Sequence, residues 1–138
     1  MNFSSINWLA VVACVVFSMV SGSIWYAPKT FFPVWWQAIG KKDSDVPKAT
    51  PLTWVFVIVS SIVQAISMSL LVTAMGSLTG GATLASGALA GFMLWLGIVA
   101  PTSLVNKLFS NQYKAWAIET GNHLINFVVF GAILGAWR

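Results

Sequence analysis

The chain is 138 residues long, the length of one domain. Only 7% of it is charged and 58% is apolar, against about 25% charged in ordinary soluble domains, so a soluble fold of this size could not hide its apolar surface. The net charge of +4 comes from lysines that flank apolar runs without forming a basic face, which argues against nucleic acid as a partner and for topology signals.

Four long apolar runs, separated by short polar breaks, define an all-α multi-pass membrane protein whose first partner is the lipid bilayer. The first run covers about residues 6–26 and stops near Pro28. No Lys or Arg precedes it, it is longer than a signal h-region, and no small-x-small cleavage site follows, so a retained span is expected. Its Cys14 has no partner for an internal disulfide and reads as a small packing residue.

A short aromatic stretch follows. Phe31, Phe32, Trp35, Trp36 and Ile39 recur at helical spacing between Thr30, an N-cap signal, and Gly40, a C-cap signal. At about residues 30–39 this stretch is too short to span and predicts an amphipathic helix along the interface. It serves either as an anchor, the simpler reading, or as a lid over the bundle. Residues 41–51, with two prolines and two aspartates, read as an exposed loop.

The second span covers about residues 52–75. Gly76, Gly80 and Gly81 then mark a tight turn into the third, about residues 84–106. Gly87 and Gly91 form a small-xxx-small motif in the third span. Pro101 removes one backbone bond and predicts a kink that frees the Gly97 carbonyl. Thr102, Ser103 and Asn106 then make a polar end. The fourth span covers about residues 115–137 and carries a second glycine pair, Gly131 and Gly135. Both pairs fall at similar depth. Either they pack the third span on the fourth, the favoured reading, or one pair faces another subunit.

Glu119, Asn122, His123 and Asn126 are spaced by three and four residues, on one face of the fourth span. Ionisable groups inside a membrane normally face protein or water. Glu119 and His123 can touch as an i, i+4 pair. The functional reading is a proton relay or cation site, and the bland one is a structural hydrogen bond. In the second span Gln64 lies ten positions after Trp54, as Asn126 does after Trp116. Both amides therefore sit about 15 Å deep and are expected to meet, flanked by Ser60 and Ser67, as a site or as interhelical glue. Ser18, Ser21 and Tyr26 can join from the first span. One His and one Glu are too few for a metal centre or a haem, so no cofactor is expected.

Lys29, Lys41, Lys42, Lys48, Lys107 and Lys114 fall in two loops on one side, against Arg138 alone on the other. The positive-inside rule makes the lysine side cytoplasmic and sends both termini outward. Trp8 to Trp25 spans about 26 Å and Trp116 to Trp137 about 32 Å, which matches a hydrocarbon thickness of about 30 Å.

The chain resembles a family of small bacterial membrane proteins known only as domain of unknown function 1761. The resemblance rests on Ile6-Asn7-Trp8-Leu9-Ala10 and on Trp25-Tyr26-Ala27-Pro28. It continues in Trp95-Leu96-Gly97, Ala100-Pro101-Thr102, Asn106, Leu108-Phe109, Gly121 and His123-Leu124, and ends in Gly131-Ala132-Ile133-Leu134-Gly135-Ala136-Trp137-Arg138. It implies a four-helix membrane protein and no particular activity; the expected location is the bacterial inner membrane.

The sequence thus predicts an antiparallel bundle of four transmembrane helices, with an interfacial helix between the first and second. The leading functional expectation is a homo-oligomeric proton- or cation-linked transporter or channel-like protein. The runner-up is a non-catalytic accessory or scaffold subunit with an unidentified membrane partner. An enzyme is not expected, because no nucleophile, base and orienting group occur together.

Overall fold

A computed structural model describes residues 3–45 and 49–137, so Lys48 and Arg138 of the topology argument lie outside the described residues. A short 3₁₀ turn at Phe3–Ser5 leads into helix α1, Trp8–Trp25. Then follow α2 (Phe32–Ala38), α3 (Pro51–Thr79), α4 (Leu84–Leu94), α5 (Ala100–Leu108) and α6 (Tyr113–Ala136). A π-helical turn at Trp95–Val99 joins α4 to α5, making one continuous span from Leu84 to Leu108. Together with α1, α3 and α6, that makes four helices among the described residues long and apolar enough to cross a membrane.

The helix ends follow local chemistry. Asn7 caps α1 by accepting from the backbone N–H groups of Leu9 and Ala10. Thr50 and Thr83 begin α3 and α4 with reciprocal caps from Thr53 and Ser86. Gly80, at φ 79° in the left-handed region, ends α3. Gly76 breaks nothing: it is helical and buried, so α3 runs a full turn beyond the expected end. Thr30 caps a different helix from the one anticipated. Its hydroxyl lies within donating distance of the Ile24, Trp25 and Ala27 carbonyls and closes the end of α1, while Phe31 precedes α2 without a side-chain cap.

The irregularity expected at Pro101 lies in the residues before it. The Ala100 N–H reaches back five residues to the Trp95 carbonyl, which widens the helix by one residue. Pro101 then falls in the first turn of α5, where a missing N–H is tolerated.

Helix α6 is the hub, packing against α1, α2, α3, α4 and α5. On its α4 side, backbones meet directly. A Cβ built on Gly87 would lie 2.0 Å from the Gly131 carbonyl oxygen, and one on Gly131 would lie 2.0 Å from that of Gly87. Gly91 meets the Phe127 carbonyl in the same way, and Gly135 meets that of Thr83. Both glycine pairs are thus used within one chain. The apolar core lies in this same half of the bundle: Ala10, Val11 and Cys14 of α1, Ala65, Met68 and Val72 of α3, Ala90 of α4, and Phe130 and Leu134 of α6.

The other half, towards the lysine loops, is built differently. Residues 51–60 of α3 are exposed on every side, so the first turns of α3 stand away from their neighbours. Tryptophans hold the remaining helices instead. Trp25 Nε1 donates to the Ile118 carbonyl (2.9 Å) and Trp95 Nε1 to that of Thr120 (2.8 Å). Trp116 Nε1 donates to the Ala100 carbonyl (3.1 Å). Trp25 and Trp116 therefore act as interhelical staples as well as lying at the expected boundary.

Candidate functional site

Where α3 stands away, a cleft of about 800 Å³ opens between α1, α3 and α6. Its mouth is set by Thr50, Thr53 and Trp54 at the start of α3. One wall is apolar, made by Met19, Leu52, Phe56 and Val57. The floor is polar and uncharged.

That floor is built from three helices. Ser18 of α1 donates to the Val15 carbonyl (2.8 Å) and meets Ser61 Oγ of α3 at 3.0 Å, where the two helices cross. From α6, Asn122 Nδ2 donates to Ser21 Oγ of α1 (3.1 Å), and Asn126 Nδ2 donates to Asn122 Oδ1 (3.2 Å). Both asparagines are 7% exposed. The amide chain stops there: Asn126 Oδ1 is buried and has no hydrogen-bond partner among the described residues. Gln64 and Ser60 line the cleft from α3, with Gln64 Nε2 donating to Ser60 Oγ at 3.1 Å. His123 lines it from α6, half-buried.

The polar stripe on α6 is therefore divided. Asn122, His123 and Asn126 face the cleft, and Glu119 does not line it. Glu119 Oε1 accepts from Lys107 Nζ of α5 (3.0 Å) and from Trp35 Nε1 of α2 (2.8 Å). No hydrogen bond joins Glu119 to His123 among the described residues; the carboxylate is engaged by Lys107 and Trp35. Gln64 and Asn126 share the cleft, and among the described residues no hydrogen bond joins them: Gln64 turns to Ser60 and Asn126 to Asn122.

Three contributors escape sequence reasoning. Lys107 reads there only as a topology signal, yet the frame set by Trp116 already puts it beside Glu119 in depth. Ser61 carries no helical pattern to distinguish it from Ser60. Trp35 seats α2 on Glu119, and its ring also meets Tyr26 edge-on, with centroids 5.3 Å apart, so the short helix borders the cleft. Beyond α2, Trp36 Nε1 donates to the Lys42 carbonyl (2.9 Å) and draws the exposed loop back.

These features define a multi-pass membrane protein with a sealed half and a cleft in the other. The chain belongs to the family described as Protein of unknown function (DUF1761), whose model matches residues 9–135. No curated protein and no solved structure matches it.

Proposed function

We propose that this protein is a small membrane carrier that receives an organic molecule from the bilayer in the α1–α3–α6 cleft. The observation that supports this most directly is the cleft itself. A polar floor lies at mid-depth in a span, behind an apolar wall, beside a helix whose first ten residues touch little else. Polar groups at that depth are normally committed to each other or to something that visits them. The carrier reading differs from a cation pathway: Glu119 is engaged by Lys107 and Trp35, and no carboxylate among the described residues lines the cleft. Any coupling to protons falls to His123.

By the lysine asymmetry the mouth opens on the cytoplasmic side of the inner membrane, with both termini outside. Tags at either end checked for external accessibility test this orientation, and a cytoplasmic C-terminus reverses it. The accessory-subunit reading draws on the same exposed stretch of α3, which a partner helix could cover; it predicts a stoichiometric protein on purification in mild detergent.

The carrier reading is tested in proteoliposomes by the transbilayer movement of fluorescent lipids with neutral, zwitterionic and anionic head groups, followed by dithionite quenching. Acceleration of at least one class is expected, and its loss in Gly22→Leu, a position with open space around its Cβ on the cleft wall. Movement no faster than in empty liposomes overturns the proposal.

A further inference from the structure

The chemistry of the cleft narrows its occupant. We infer that it takes an uncharged amphiphile, held by a hydroxyl or N–H group that donates to Asn126 Oδ1. This rests on the cleft being a ligand site, as proposed above, and adds the chemical class.

The direction of the amide chain carries the inference. Asn126 gives its Nδ2 hydrogen to Asn122, and Asn122 gives its own to Ser21. The two bonds therefore run in one direction, from Asn126 through Asn122 to Ser21 of α1, and the Asn126 acceptor is left over at the other end. Asn126 Oδ1 is that end, buried and with no partner among the described residues, in a side chain that lines the cleft. A buried acceptor without a donor is unfavourable and rare in folded proteins. Only a visiting donor completes it, and an acceptor-only group such as an ether or ester is repelled there.

Charge excludes the commoner membrane head groups. Among the described residues no Asp, Glu, Lys or Arg lines the cleft, and Glu119 is already paired with Lys107. A phosphate or an ammonium at mid-depth would meet no counter-charge. A hydroxyl needs none. His123, one turn from Asn126 and with no hydrogen bond among the described residues, can offer the same hydroxyl a second contact. The apolar part has its own place along Met19, Phe56 and Val57. From Thr50 at the mouth to Gln64 at the floor, α3 rises about 21 Å, the reach of a long alkyl chain. The exposed first turns of α3 leave the way open for a second chain to remain in the bilayer.

The test uses the full chain in phosphatidylcholine nanodiscs and measures bound lipid by native mass spectrometry. Three probes differ only in the head: 1,2-dioleoylglycerol, its 3-O-methyl ether, and dioleoyl phosphatidic acid. The expected result is preference for the alcohol over the ether by about tenfold or more, the size of one well-placed hydrogen bond, and over phosphatidic acid by at least as much. Asn126→Leu should abolish the preference, and Gly22→Leu should abolish binding. The comparison of alcohol with ether is made in the wild-type protein, so the chemical class is decided even where Asn126→Leu folds poorly. Equal binding of alcohol and ether, both lost in Gly22→Leu, overturns the chemical class and leaves the cleft as a binding site. Preference for phosphatidic acid overturns the class in the same way. No binding of any probe, or binding untouched by Gly22→Leu, overturns both the class and the cleft.

Discussion

The two halves of this bundle solve the problem of packing in lipid in opposite ways. Away from the lysine loops, α4 and α6 bring backbone against backbone at Gly87, Gly91, Gly131 and Gly135, and the small core closes around Phe130 and Met68. Towards the lysine loops, the same α6 is held by indole N–H groups and by one ion pair, and a cleft remains beside α3. Lipid gives helices little hydrophobic reason to associate, so close fit and hydrogen bonds must hold them together. The glycine half uses fit and leaves no room. The tryptophan half uses long side chains that reach across gaps, and gaps are what a binding site needs.

The sharpest way to break this contrast is to add a side chain in the sealed half. Gly131→Leu and Gly91→Leu each drive atoms into a neighbouring backbone, which cannot yield as a flexible side chain would. Each should destabilise by roughly 3 kcal/mol or more, beyond ordinary overpacking. Thermal unfolding in detergent measures this; wild-type stability in both would show that the glycine contact is incidental. Next in size is a staple in the open half. Trp95→Phe removes the bond to the Thr120 carbonyl and should lower stability by about 1 kcal/mol. A loss as large as that of the glycine variants would erase the difference between the halves.

Smaller still is Glu119→Gln, which removes the ion pair with Lys107 and keeps an acceptor for Trp35. Both partners are about a quarter exposed, so the expected change is within about 1 kcal/mol and shrinks further in salt. A large, salt-independent loss would mean that this pair, rather than the glycines, organises the bundle. Smallest of all is Gly22→Leu. Nothing lies within 4 Å of a Cβ built there, and a glycine inside a helix is replaced by a better helix former. Stability should stay within about 0.5 kcal/mol of wild type or rise slightly, while the cleft fills. Unfolding of this variant would show that the cleft is not open space.

The sequence is legible to different depths in the two halves. Spans can be read from single-helix properties, length and hydropathy, and the glycine pairs from spacing and shared depth. The cleft cannot be read that way. Depth places Gln64 level with Asn126, but contact depends on how the helices sit side by side, and α3 buries residues only from Ser61 onward. That Glu119 takes its hydrogen bonds from other helices, with none to His123 among the described residues, has a related reason. Helical periodicity offers neighbours within one helix, whereas Lys107 and Trp35 arrive from α5 and α2. Asn122 and Asn126 do fall on one face as periodicity requires. That Asn126 ends a chain of donors depends on Ser21, in a helix about 100 residues earlier in the chain.

The helix that joins all the others is also the least apolar of the four spans, with mean hydropathy 1.3 against 2.0, 2.3 and 1.9 for those before it. Synthesis runs from the N-terminus, so α1, α3 and α4 enter the membrane before their common partner exists. Until then Ser21 lacks the Asn122 amide, and Gly87 lacks the Gly131 backbone that it meets in the folded chain. The arrival of α6 is thus assembly as well as insertion. Its asparagines and its carboxylate find Ser21, Lys107 and Trp35 already waiting, and a span that would cross lipid reluctantly by itself is received by helices that each lack what it brings.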